Sequence, residues 1–151
     1  MSVTANDVAK YVINAFHERE DLITNLKLQK LLYYVQGWYL GLYGKEIFSE
    51  DFEAWVHGPV VPAVYHQYKS YRWYPITEEI KDISNISFDI RNHIDEVLNL
   101  YGTDTGWELE RRTHLERPWL DARGDIPNDE ECTNIIEKNS MRVFFEKLAN
   151  A

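Results

Sequence analysis

The stretch TNLKLQKLLYYVQGWYLGLY, Thr24 to Tyr43, decides the fold. Leu28, Leu31, Leu32, Val35, Trp38, Tyr39 and Leu42 recur at three- and four-residue spacing, which places them on one apolar helix face. Lys27, Gln29, Lys30 and Gln36 fall on the other faces. Thr24 stands near the expected start, and Gly44 is a natural stop because glycine accepts left-handed backbone without steric penalty. Leu28, Leu32, Val35 and Tyr39 are assigned to the core, so this helix is read as its central pillar. Gly37 and Gly41, four apart, would let another backbone come close.

Downstream, Phe52, Ala54 and Val56 alternate with Glu53, Trp55 and His57, the pattern of a short strand over Phe52 to Val56. The strand runs into Gly58-Pro59, a rigid corner: Gly58 is permissive, and Pro59 fixes one backbone angle and lacks an amide donor. Pro62 suits the first turn of a helix through Val64, Tyr65 and Tyr68, ending near Tyr71. Upstream, Val8, Val12, Ala15 and Phe16 mark a helix over Thr4 to Glu18, with Thr4 or Asn6 as its cap.

Toward the C-terminus, Arg72 to Pro75 reads as a turn and Ile76 to Ile83 as a site for a short extended piece. Ile90, Ile94, Val97, Leu98 and Tyr101 mark a helix stopped by Gly102. Thr105 followed by Glu108 matches a capping box and starts a helix reaching about Leu115, which Pro118 keeps from continuing far. Arg123 to Asn128 is a loop, Ile135-Ile136 is extended, and a last helix carries Met141, Phe144, Phe145 and Leu148. The expectation is a mainly α fold: a single compact helical domain over residues 1–151, with a small β element near the Gly-Pro corner.

The chain has 151 residues, a net charge of −9 and aromatics at 14%, with 10 Tyr and 5 Trp. Tyr and Trp combine a large apolar face with a polar tip and recur at protein interfaces. An acidic surface repels nucleic acid and anionic membranes and favours basic partners. Cys132 is the single cysteine, which suits a reducing compartment. The N-terminus lacks the pattern of a secretory signal, and no apolar run reaches membrane-spanning length, so a cytoplasmic protein is expected.

The sequence carries no recognisable catalytic constellation. His17, His57, His66, His93 and His114 are scattered, with no His-Glu-x-x-His pattern and no paired cysteines, so neither a metal nor a cofactor is expected. No nucleophile elbow, P-loop or dinucleotide fingerprint occurs. The acidic pairs, Asp129-Glu130-Glu131 among them, read as solvated. Arg111, Arg112, Arg117 and Arg123 interleave with Glu108, Glu110, Glu116 and Asp121, which reads as a mixed-charge surface and not a nucleic-acid stripe. A hydrolase built on His57 or His114 is kept as a third reading behind two binding roles.

Three stretches resemble the Panacea-domain family: LKLQKLLYYVQG at 26–37, FSEDFEAWVHGPVVPAVY at 48–65 and THLERPW at 113–119. The resemblance runs from about Val8 to Phe145. The Leu-Gln-Lys helix, the Ala-Trp-x-x-Gly-Pro corner and the Pro-Trp pair in that order are its most specific part. The family includes SocA-like antitoxins and phage-associated proteins. The resemblance implies a non-enzymatic antitoxin that binds a cognate protein toxin encoded nearby. Toxins paired with the domain are diverse and include small alarmone synthetases. One branch of the family instead works as an adaptor that delivers its toxin to a AAA+ protease, and that is the alternative reading. Some members add a DNA-binding region; none is expected to act through this chain alone. Neutralisation needs a stable scaffold with exposed aromatic anchors, and the candidates for partner binding are Trp55, His57, Tyr65 and Tyr68. Each of these four side chains is either a core residue or an exposed anchor.

Overall fold

A capping box starts the first helix: the Thr4 hydroxyl accepts from the Asp7 amide, and the Asp7 carboxylate accepts from the Thr4 amide. In the computed structural model, which describes residues 2–151, α1 spans Ala5–Glu18 and α2 spans Asn25–Tyr43. Thr24 caps α2, and Gly44 closes it in left-handed conformation at φ 68°. The remaining helices are α3 (Pro62–Tyr68, extended by a 3-10 turn at Lys69–Tyr71), α4 (Phe88–Tyr101), α5 (Gly106–Thr113), α6 (Arg117–Arg123) and α7 (Lys138–Ala149). Among the described residues, seven helices accompany one small three-stranded sheet, so the chain is mainly α.

Helix α2 is the pillar, but a single apolar stripe is corrected by the structure. Every residue from Leu28 to Gly37 is buried, including Gln29, Lys30 and Gln36. The reason is that α1, α4, α5, α7 and the sheet pack around its whole circumference. Toward its C-terminal end only one side of the helix stays covered, so Tyr39, assigned to the core, is half-buried, and Leu42 is exposed, whereas Leu40 is buried. The close approach expected at Gly41 occurs. A methyl group there would meet the Phe145 Cβ at 2.6 Å and its carbonyl carbon at 2.7 Å, so α7 lies directly on this glycine face. Met141 and Phe145 are buried on α7, whereas Leu148, read with them, is exposed past the end of the contact.

The sheet has the order β2-β1-β3, with β1 (Phe52–Trp55) pairing antiparallel to both β2 (Gly58–Val60) and β3 (Ile135–Ile136). Trp55 pairs with Gly58, so Val56 and His57 form the turn of a tight hairpin. Gly58, at φ 106°, supplies a conformation that side-chain-bearing residues rarely adopt. The Gly58-Pro59 pair, read as a corner, therefore belongs to a strand. That strand lies at the sheet edge, where Pro59 interrupts no further ladder.

Two other expectations are corrected. Ile76 to Ile83 forms no strand; Ile76 is buried and its amide donates to the Ile23 carbonyl at 2.8 Å, which pins irregular chain across the end of α1. Pro118 does not simply end a helix. It sits in the first turn of α6, where a missing N–H costs nothing, and the segment read as a break begins a new helix.

Candidate functional site

The β1–β2 hairpin is held from below through its carbonyls. Arg123 Nη1 donates to Ala54 O at 2.8 Å, Trp119 Nε1 to Trp55 O at 2.8 Å, and Lys30 Nζ to Pro59 O at 3.1 Å. His114 Nε2 lies 2.7 Å from Val56 O, which requires the proton on that nitrogen. Just beyond the hairpin, the Gln29 side-chain carbonyl accepts from the Val61 amide at 2.9 Å, and its amide donates to Asn25 Oδ1 at 2.9 Å. Gln36 does the same for the preceding loop, donating to Phe48 O and accepting from the Ile47 amide, both at 2.8 Å. The polar residues of α2 thus template the backbone of residues 47–61. An amide or carbonyl left unpaired in this interior would cost on the order of 1–3 kcal/mol each.

Phe52, Ala54 and Val60 of the hairpin are buried, whereas Trp55 and His57 at its tip reach the surface. Trp55 is half-buried; its indole N–H donates to Glu53 at 2.8 Å, and its ring packs edge-on to Tyr65 at 4.9 Å. His57 is exposed at the tip, its side chain 73% accessible, with Nδ1 3.2 Å from the Glu110 carboxylate of α5. Tyr65 is half-buried and borders Trp55 and His66. Trp55 and Tyr65 therefore meet, and His57 lies at the adjoining turn. Tyr68 does not join them: only 1% of it is accessible, and it packs in the core beneath α3.

The underside concentrates buried charge. Burial drives the Lys30 ammonium down from 10.5 to about 7, with Glu110 opposing the shift. Burial lowers His114 below the ordinary histidine value, against the pull of the Val56 carbonyl. Arg123 is buried without a carboxylate partner among the described residues. Its guanidinium donates to Ala54, Pro127 and Glu130 carbonyls and stacks 4.8 Å from the Trp119 ring, leaving Nε unpaired. Glu116, at the start of α6, accepts from Tyr33 and Tyr34 hydroxyls at 3.1 and 3.0 Å, and burial raises it from 4.5 to about 7. Glu116 and Arg123, read as parts of a mixed-charge surface, are interior residues.

Chemically, the arrangement is a hairpin whose carbonyls are held by four side-chain donors. The two histidines of the hydrolase reading are near each other but engaged: His57 faces Glu110, and His114 spends Nε2 on backbone. Among the described residues, no Ser, Thr or Cys hydrogen-bonds either ring, and no three His, Cys, Asp or Glu side chains converge as metal ligands. No helix among the described residues is long and apolar enough to cross a membrane. Reading the sequence alone missed Lys30, His114, Trp119 and Arg123 as the hairpin's supports. Their only linear signal is the THLERPW run, which carries His114 and Trp119, whose rings pack edge-on at 4.2 Å.

The family model described as Antitoxin SocA-like, Panacea domain, matches residues 28–120, well over half of the chain. That span runs from the first turn of α2 into α6 and holds the hairpin and three of its four supports, Lys30, His114 and Trp119. A relative named Antitoxin SocA, from Caulobacter vibrioides (strain NA1000 / CB15N), is 42% identical over 64 residues, covering 42% of this chain. The aligned stretch spans 34% of that relative's length, about a third of it. No solved structure matches the chain.

Proposed function

The chain belongs to the SocA-like antitoxin family that shares the Panacea domain, and on that premise we propose that it is an antitoxin neutralising a cognate protein toxin by direct binding. Family membership across residues 28–120 is the observation that carries this reading. The site geometry supports it. Trp55, His57 and Tyr65 lie at an edge whose backbone is immobilised by four side-chain donors from beneath, so little ordering entropy is lost on association. Aromatic anchors on a rigid support are the residue types that dominate binding energy at interfaces. Tyr68 acts from beneath, as packing for α3. In this reading the protein is not an enzyme, works in the cytoplasm and forms a single domain.

The test is growth rescue with co-purification. The adjacent open reading frame is expressed alone and then with this protein. Arrest relieved by co-expression, with both proteins in one complex, supports neutralisation by binding. Undiminished arrest, or rescue without a complex, overturns it. The same assay in strains lacking each AAA+ protease separates the mechanisms: rescue that disappears there, with a lengthened toxin half-life, would replace direct neutralisation with delivery to degradation.

A further inference from the structure

A groove of ≈ 540 Å³ runs along the outer side of the hairpin. Trp55, Val56 and His57 form one wall; Asp129, Glu131, Cys132 and Thr133 form the other. Its surface is mainly apolar at the indole and the buried Cys132, whereas Asp129 and Glu131 are exposed carboxylates at the rim. No lysine or arginine lines it, and neither rim carboxylate has an ion-pair partner among the described residues.

Both walls hang from one side chain. The buried Arg123 guanidinium donates to Ala54 O of the hairpin and to Pro127 O, at 2.6 Å, and Glu130 O of the facing loop. The Ala54 amide also donates to Asn134 O at 2.9 Å. The indole is fixed by Glu53 and Tyr65. The groove is thus shaped before any ligand arrives, which removes much of the ordering cost of binding.

We infer that this groove binds a basic side chain, arginine or lysine, presented between apolar neighbours by the protein partner. The inference deepens the antitoxin reading and rests on it for the partner's identity. An indole with unpaired carboxylates around it offers a cation both a π face and charge-assisted hydrogen bonds. A net charge of −9 steers a basic surface toward it and repels nucleic acid.

The test titrates the full-length protein with three blocked tripeptides, Leu-Arg-Leu, Leu-Gln-Leu and Leu-Glu-Leu, monitored by the Trp55 indole and Thr133 amide NMR signals. The arginine peptide alone is expected to shift both, with binding weakened by salt. Asp129→Asn with Glu131→Gln, both at exposed positions, is expected to lower that affinity at least about tenfold and to slow toxin association. Equal shifts with all three peptides, shifts elsewhere, or none at Trp55 overturn the inference. Arginine-peptide binding without any toxin complex leaves the groove standing and removes the antitoxin reading. Full toxin binding by the double variant leaves the antitoxin reading and removes the groove.

Discussion

The Lys30 ammonium lies directly beneath Gly58: it donates to the neighbouring Pro59 carbonyl at 3.1 Å, and a methyl group on Gly58 would stand 2.7 Å from Lys30 Cε. Helix α2 and the hairpin therefore meet at a glycine whose φ of 106° side-chain-bearing residues rarely adopt and at a lysine that is fully buried. The same methyl group would approach Thr113 Oγ1 of α5 at 2.9 Å, so three elements converge on this point.

Gly58→Ala is expected to destabilise the fold by about 1–3 kcal/mol from backbone strain at φ 106°, before any steric displacement of Lys30 is added. Gly44→Ala is the comparison: its φ of 68° is also left-handed, but nothing lies near the added methyl, so a loss of about 1 kcal/mol is expected. Urea unfolding of both variants measures the difference. Equal losses would show that the crowding over Lys30 is unimportant.

Lys30 makes stability depend on pH in a defined direction. Its folded value is about 7 and its ordinary value 10.5. Between these, the unfolded chain holds a proton that the folded chain has released, so stability rises with pH across that window. Below pH 7 both states are protonated there and the burial penalty is present in full. Lys30→Met should abolish the rise, which unfolding curves at a series of pH values will reveal; identical slopes in both proteins would refute the assignment.

Glu116 acts in the opposite sense on the acid side. Its folded value is about 7 against an ordinary 4.5. Between these the folded chain keeps a proton that the unfolded chain has lost, so stability falls as pH rises through the window. Glu116→Gln stays neutral and is expected to flatten this fall. The contribution of this pair, read as wild type minus the double variant Lys30→Met with Glu116→Gln, should pass through a minimum near pH 7. A monotonic profile, or a Glu116→Gln slope equal to wild type, would count against this.

Trp55 and Trp119 should separate binding from folding. Trp119 is fully buried and supports the hairpin through its indole N–H, so Trp119→Ala should cost about 3–5 kcal/mol. Trp55 engages the core through its carbonyl and offers its half-buried ring outward, so Trp55→Ala should cost only about 1 kcal/mol. On the proposed reading, Trp55→Ala nevertheless weakens the partner complex at least about tenfold. Melting curves and pull-down of the co-expressed partner give both numbers; a Trp55→Ala protein that melts and binds as wild type would exclude it as an anchor.

The helices that were legible share one property: their ends and faces are marked by neighbours in sequence. Thr105 with Glu108 announced α5, and Gly44 announced the end of α2, because capping joins groups three or four residues apart. Helix α6 was missed because a proline such as Pro118 can equally terminate one helix or occupy the first turn of the next. Among the site candidates, the meeting of Trp55 and Tyr65 was compatible with the pattern, but Tyr68, three residues on, went to the core. On a short helix such as α3, neither face is named by periodicity alone.

By itself the sequence determined that an apolar helix from Thr24 to Gly44 would anchor a mainly helical fold, and that a short strand would run into Gly58-Pro59. Those are consequences of local periodicity and backbone sterics. Only the tertiary structure decided that Gln29, Lys30 and Gln36 are interior, and that Arg123 reaches across 69 positions to Ala54 to hold the hairpin. A polar side chain is buried only where a distant backbone supplies its hydrogen-bond partner. That partner exists only once the chain has folded around it.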